Sequence, residues 1–268
     1  MTQRFDRRVA LITGGGKGIG RAIARRLAAE GAAVALCGRD LAAVEAVAAE
    51  ITGNGGRALA RAVDVSNEQA VERLVAEAAD TFGTIDILVN NASLTAASGV
   101  GFAPLLDMAT EEWQRVIDVN LSSFFFVSRA AGRIMRENRR GAIVNISSVH
   151  AHRPNALTPH YDAAKSAVES LTKNLALALG PFGIRVNAVA PGPIDVSETA
   201  SVKAPQDPEA RAALERATSL RRYGLPEEVA AVVAFLASDE ASYVTGAIVP
   251  VDGGFLLRHP GMPDGTGE

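Results

Sequence analysis

The sequence predicts a single-domain, doubly wound α/β fold built on a seven-stranded parallel sheet, and three observations carry that expectation. Seven short apolar or β-branched runs recur along the 268 residues, each bounded by turn formers. Helical patterns lie between them, the connection a parallel sheet needs to bring the chain back to the same end. No repeat, low-complexity tract or interdomain linker breaks the alternation, so residues 1–268 read as one domain, the number that this length favours.

Taken in order, the first strand is expected at 8–13 (RVALIT), and the glycine-rich TGGGKGIG after it opens the first helix. The second strand is 33–38 (AVALCG), and Asp40 is placed to cap the helix LAAVEAVAAEI. A third strand at 58–65 (ALARAVDV) leads to Ser66, which opens the helix NEQAVERLVAEAADTFG with Gln69 positioned for a capping box. After the strand 85–92 (IDILVNNA), the run EEWQRVIDVNLSSFFFVSRAAGRIMREN reads as one long helix. Strand 141–148 (GAIVNISS), helix YDAAKSAVESLTKNLALALG and strand 184–191 (IRVNAVAP) follow, then helix PEEVAAVVAFLAS and a last strand at 247–254 (AIVPVDGG). The long polar stretch at about 191–226, helical in its middle, suits a substrate lid. The Gly/Pro-rich tail 258–268 is expected to be mobile or to pack on a neighbour.

A formal net charge of −3 with dispersed Lys and Arg gives no electrostatic reason to expect a nucleic acid or an anionic membrane as partner. One cysteine, Cys37, excludes an intrachain disulfide framework. The first residues lack a signal-peptide pattern, and no segment reaches about eighteen uninterrupted apolar residues, so a cytoplasmic protein is expected.

Gly14, Gly18 and Gly20 follow a strand and open a helix, where glycines permit a tight turn and close backbone approach to a pyrophosphate at the helix N-terminus. The plain alternative is a glycine-rich turn with no ligand. After the second strand, an acid would bind a ribose diol, whereas a 2′-phosphate needs a cation. Arg39 stands there, and Lys17 reaches from the glycine loop, so NADP(H) is favoured over NAD(H). Against this, both could be solvated surface cations, with Asp40 neutralising Arg39. Tyr161 and Lys165 are four apart on an expected helix and share a face, and Ser148 lies at the carboxyl end of an expected strand. A neighbouring ammonium and the cofactor's own positive nicotinamide would favour the phenolate and make Tyr161 a usable acid and base, while Ser148 could hydrogen-bond a substrate carbonyl. Alone, YDAAK is equally an ordinary structural pair; with the glycine motif and Ser148 it is not.

These motifs, with Asp64-Val65, NNAS (90–93), Asn120 in VNL, NAVAPGPID (187–195) and VTGAIVPVDGG (244–254), resemble the single-domain branch of the short-chain dehydrogenase/reductase family from about residue 6 to 255. The resemblance implies a Rossmann-type domain and a catalytic set of Asn120, Ser148, Tyr161 and Lys165. It also implies that Asn120 kinks its helix and holds a water through its carbonyl, and that Lys165 binds the nicotinamide ribose. Gly14, Lys17, Gly18, Ile19, Gly20 and Arg39 would hold the cofactor's phosphates. Asp64 and Val65 would meet the adenine, Asn91 and Ala92 the adenosine ribose, and Pro191, Gly192 and Ile194 the nicotinamide. A homo-oligomer, most often a tetramer, is implied too.

Three departures stand out: Ser93 replaces the glycine of NNAG, Val196 stands where a threonine is common with Ser197 next to it, and a glycine after the catalytic serine is missing. SSVH and PHY are similar to stretches of bacterial glucose dehydrogenases, which puts His150 near substrate hydroxyls. The plainer reading leaves His150 and His152 in an exposed polar loop and His160 facing solvent or a neighbouring subunit. No metal site is expected, because the histidines lack thiolate or carboxylate support at fixed spacing. Arg211, Arg216, Arg221 and Arg222 suit an anionic carrier or a solvated helix face. The expected activity is an NADP(H)-dependent oxidoreductase interconverting a ketone and a secondary alcohol, most simply a carbonyl or 3-oxoacyl-thioester reductase. The alternatives are a sugar or polyol dehydrogenase and, from another class, a non-catalytic NADP-binding regulator.

Overall fold

The computed structural model describes residues 3–95, 101, 103–196 and 208–258. Ser197, the middle of the expected lid and nearly all of the expected tail lie outside the described residues.

Seven parallel strands form one sheet in the order β3-β2-β1-β4-β5-β6-β7. They are β1 (Val9–Thr13), β2 (Ala33–Gly38), β3 (Arg57–Ala62), β4 (Ile87–Asn90), β5 (Gly141–Ile146), β6 (Ile184–Pro191) and β7 (Ile248–Val251). The central strands are apolar on both faces, which demands a helical layer on each side. Helices α1 (Gly18–Ala29), α2 (Leu41–Gly53) and α8 (Pro226–Ala237) bury Ala10, Ile12, Leu36, Val89 and Val144. On the other face α3 (Glu68–Phe82), α5 (Ser123–Glu137) and α6 (Pro159–Leu179) bury Leu11, Ala35, Leu88 and Ile143. Alternate strand residues thus go to opposite cores, as the pleat requires. Two further helices, α4 (Thr110–Ile117) and α7 (Pro208–Ala217), lie in the β4–β5 and β6–β7 connections.

Three local expectations are corrected. Asp40 does cap α2, accepting from the Ala43 amide at 3.1 Å, but α3 is capped by Asn67, not Ser66. Both the amide and the hydroxyl of Ser66 are spent on the Asp64 carboxylate, at 3.0 and 2.7 Å, so the capping role passes to the next residue. Strands β3, β4 and β5 stop short of the expected ends at 65, 92 and 148, releasing Asp64, Asn91 and Ser148 into the rim loops. Finally, the expected long helix is two helices, α4 and α5, separated by a π-helical turn at Asp118–Ser122.

Candidate active site

The sheet order reverses at β1, whose neighbours β2 and β4 carry the chain in opposite directions, so a crevice opens beyond the carboxyl ends of β1 and β4. Gly14 turns there with φ +67°, and a Cβ on it would lie 2.9 Å from the Ala92 Cα. From the β4 side, Thr13 Oγ1 accepts from the amides of Asn91 and Ala92, both at 3.0 Å. Asn91 Nδ2 donates to the carbonyls of Thr13 and Gly14, also at 3.0 Å each. The loop's own carbonyls are therefore turned inward and satisfied. The first turn of α1 has no acidic residue, and its N-cap, Lys17, makes no capping bond through its side chain. No acid opposes an anion at this helix N-terminus, so the glycine loop fits a dinucleotide's pyrophosphate. Ile19 packs partly into the core behind it.

Beyond β2, Arg39 is exposed and makes no ion pair among the described residues. Asp40, considered above as a neutralising partner for Arg39, pairs instead with Lys17 at 2.8 Å. That ammonium holds the Asp40 carboxyl below the usual carboxylate range. Past β3, Asp64 is exposed and Val65 is buried.

Ser148 follows β5 and begins a single 3-10 turn, Val149–Ala151, accepting from the His150 amide at 3.2 Å. Tyr161 and Lys165 lie one turn apart near the start of α6. Burial and the nearby hydroxyls of Ser148 and Ser93 all bear on the Tyr161 phenol. Burial is the dominant influence on it and pushes it up to about 12, with the two hydroxyls acting in the opposite direction. Lys165 is 1% exposed and its Nζ donates to the Ile146 carbonyl at 2.9 Å. It stands 5.5 Å from the Tyr161 ring centroid and 5.3 Å from that of Phe124. Burial pushes this amine down to about 7, which weakens its charge near neutrality.

Asn120 lies in the π-helical turn and is fully buried. Its side chain grips one residue at both ends: Oδ1 accepts from the Leu94 amide at 2.7 Å, and Nδ2 donates to the Leu94 carbonyl at 2.9 Å. Leu94 packs with Val116, Val119 and Tyr161. Asn120→Ala would orphan two buried backbone groups, which at about 1–3 kcal/mol each should cost about 2–6 kcal/mol. Thermal denaturation should show a fall in Tm on the order of 5–15 °C; an unchanged Tm would mean the grip is dispensable.

The loop between Ser148 and α6 is strapped down by acids on the helix. Asp162 accepts from His150 Nδ1 at 2.7 Å, the Asn155 amide at 2.6 Å and Thr158 Oγ1 at 3.1 Å. Glu169 accepts from Ser147 Oγ at 2.9 Å and lies 3.0 Å from His152 Nε2. Because a carboxylate only accepts, His150 carries its proton on Nδ1. Its ring meets that of Tyr161 edge-on at 5.5 Å between centroids. His150 and His152 are thus anchored by carboxylates rather than loose in a polar loop. His160 does not face solvent: it is fully buried, and neither ring nitrogen has a hydrogen-bond partner. No group of three or more His, Cys, Asp or Glu among the described residues could hold a metal ion.

Residues 14–256 match a family described as enoyl-(acyl carrier protein) reductase. The chain belongs to the short-chain dehydrogenase/reductase family. It is 45% identical to 3beta-hydroxysteroid dehydrogenase 1 of Eggerthella lenta over 263 residues, 97% of either chain. It is 40% identical to glucose 1-dehydrogenase 2 of Bacillus subtilis over 252 residues, 93% of this chain and 95% of that one. A crystal structure of 3-oxoacyl-[acyl-carrier protein] reductase from Brucella melitensis superposes with a TM-score of 0.87 at 42% identity, covering 96% of this chain and 94% of that one. This short-chain dehydrogenase/reductase is an oxidoreductase that interconverts an alcohol and a carbonyl with a nicotinamide cofactor. No helix among its described residues is long and apolar enough to cross a membrane.

In this family member the chain leaving β6 closes over the crevice. Pro191 is buried, and a Cβ on Gly192 would lie 2.7 Å from the Asp252 Cα. Ile194 forms a parallel bridge with Gly224. Val196 reaches to 3.2 Å from where a Gly18 Cβ would be, so an apolar group covers the glycine loop where the family often has a threonine. Arg211 pairs with Asp195 at 3.0 Å and with Glu215 at 3.1 Å, and Arg222 pairs with Glu228 at 2.7 Å. Arg211 and Arg222, both considered for an anionic carrier, are therefore already committed.

The residues missed on the sequence are Asp162 and Glu169 as anchors of the loop before α6. An acid beside Tyr161 and another four residues past Lys165 gave the only signal, two carboxylates placed on a helix that buries its catalytic face.

Proposed function

We propose that this protein is an NADP(H)-dependent reductase of ketones, interconverting them with secondary alcohols, and that Tyr161 is its acid and base. The observation that carries the reading is the gathering of Ser148, Tyr161 and Lys165 at one rim: buried Lys165 reaches the Ile146 carbonyl two residues before Ser148, and Tyr161 stands one turn before Lys165 on α6 with its ring against His150. The bound nicotinamide would supply the hydride that the substrate carbonyl carbon accepts. Ser148 would donate to the carbonyl oxygen and steady the charge developing on it. Tyr161 would pass its proton to the same oxygen, and Lys165 would hold the nicotinamide ribose hydroxyls. A phenol raised by burial keeps its proton at neutral pH, which suits reduction, whereas alcohol oxidation should gain rate as pH rises.

Gly14, Gly18, Ile19 and Gly20 would hold the pyrophosphate, Asp64 and Val65 the adenine, and Asn91 and Ala92 the ribose. Pro191, Gly192 and Ile194 would flank the nicotinamide. Preference for NADP(H) rests on Arg39, exposed and without an ion pair among the described residues, while Lys17 is shared with Asp40. Arg39→Ala should raise the KM for NADPH at least ~10-fold, the size of a charged hydrogen bond lost, and leave the KM for NADH almost unchanged. Equal effects on both cofactors would refute a phosphate clamp.

The substrate is proposed to be a simple ketone or a 3-oxoacyl thioester. A sugar or polyol is the second reading, favoured by His150, whose Nδ1 is fixed by Asp162 beside Tyr161. A non-catalytic NADP-binding regulator would leave NADPH unconsumed, so one absorbance screen against oxoacyl thioesters, sugars and simple ketones tests all three. A cytoplasmic homotetramer is part of the proposal, supported by Phe125 on α5 and Leu177 on α6, which are 43% and 80% exposed.

A further inference from the structure

Ser148 stands just past the end of β5, on a loop rather than on the strand. A hydroxyl that must meet developing charge needs a backbone held in place, because a misplacement of about 1 Å can cost a reaction about 10²-fold. The Ser147 amide still bonds to β6, at the Val189 carbonyl 2.7 Å away. Past that point α6 supplies the anchors.

On the near side of Ser148, Glu169 accepts from Ser147 Oγ at 2.9 Å. On the far side, Ser166 Oγ donates to the Ala151 carbonyl at 3.2 Å. The strongest hold is Asp162, which is 6% exposed and uses both of its oxygens. His150 Nδ1 at 2.7 Å, the Asn155 amide at 2.6 Å and Thr158 Oγ1 at 3.1 Å all donate to it. A carboxylate only accepts, so it can gather three donors from one loop without competing for any of them. His150 connects this hold to the serine, since its ring is fixed by Asp162 while its amide donates to Ser148 Oγ at 3.2 Å. Asp162 also follows Tyr161 directly in the chain, and the His150 ring lies edge-on to the Tyr161 ring. One turn of α6 therefore carries the phenol and secures the loop that bears the serine.

We propose that Asp162 is a positioning residue for the reaction: through His150 it holds the Ser148 hydroxyl in a fixed place relative to the Tyr161 phenol. The proposal rests on Ser148 and Tyr161 acting as described under the proposed function. His150 serves here through its amide and Nδ1, which leaves Nε2 outside the role.

The test compares wild type with Asp162→Ala, Asp162→Asn, His150→Ala and the double Ala variant. NADPH consumption is followed with acetoacetyl-coenzyme A and with cyclohexanone, and NADP reduction with glucose. Asp162→Ala should lower kcat about 10–100-fold and leave the substrate KM and the Kd for NADPH within about twofold of wild type. Asp162→Asn should recover kcat to within about threefold, because the imidazole can carry its proton on Nε2 and accept from the amide, while the amide oxygen keeps the Asn155 contact. His150→Ala should match Asp162→Ala, and the double variant should be no slower than either, since both act through one link. Should Asp162→Ala not fold, His150→Ala carries the same kcat test on a partly exposed side chain. Hydrogen exchange gives a readout that needs no substrate: in Asp162→Ala the His150 and Asn155 amides should exchange at least about tenfold faster, with β5 unchanged.

Wild-type kcat in Asp162→Ala would overturn the proposal. So would a loss carried wholly by the substrate KM, losses that multiply in the double variant, or unchanged exchange at His150 and Asn155. If Tyr161→Phe retains turnover, the underlying reading of Tyr161 has failed instead; if that variant is dead and Asp162→Ala keeps wild-type kcat, only the role of Asp162 has.

Discussion

Tyr161→Phe is expected to remove turnover, with a loss of at least about 10²–10⁴-fold in kcat, the contribution of a positioned acid or base. The substitution deletes one oxygen and keeps the ring that packs against Leu94 and His150. Fold and cofactor affinity should therefore survive, and NADPH fluorescence titration should give a Kd close to that of wild type while NADPH consumption is lost. A Phe variant with substantial turnover would sink the assignment. A stability signature should accompany it. The folded phenol is raised from 10.0 to about 12, so the unfolded chain releases its proton first and wild-type stability declines as pH rises across that interval. Lacking the phenol, the Phe variant should lose that part of the alkaline decline, which denaturation at pH 9 and above can measure.

The second large effect is expected at Gly20. A Cβ there would sit 2.1 Å from the Gly14 carbonyl oxygen and 2.5 Å from Asn91 Nδ2. Neither neighbour is the loose end of a flexible chain: one is backbone, and the other is tied to two carbonyls of the same loop. Gly20→Ala must displace the glycine loop or the start of α1, at a cost of about 3 kcal/mol or more. Thermal denaturation should register that, and NADPH affinity should fall at least tenfold because the loop is the proposed phosphate seat. Gly53→Ala is the control, since a Cβ there meets nothing within 4 Å. It should leave both Tm and affinity at wild-type levels; if Gly20→Ala does the same, the close approach has no energetic weight.

The order of strands and helices was legible because the two periodicities, alternate strand residues and helical spacing, are local properties of the chain. Gly14, Tyr161 and Lys165 were legible for the same reason: their spacings lie within one turn or one helix. Relations between distant segments were not. Nothing local marks Asn120 as the grip on Leu94, or Asp162 as the anchor of three donors from the preceding loop. The burial of His160 likewise depends on what packs over the start of α6. Competition misled the local signal at Ser66, a good cap former that was claimed by Asp64.

The π-helical turn at 118–122 has a consequence for how one stretch of chain serves two interiors. Each residue advances a helix by about 100°, so the extra residue that such a turn accommodates rotates everything after it by roughly that angle. Upstream, Val116 joins Leu94 and Tyr161 at the rim; downstream, Val127, Ala131 and Met135 enter the core beneath the sheet. An unbroken α-helix would hold these two sets in fixed phase and could satisfy only one of them. The irregular turn works as a clutch, letting the rim half and the core half of the segment each find their own rotation. A single-residue deletion there would engage it permanently, forcing the rim to follow the core or the core to follow the rim.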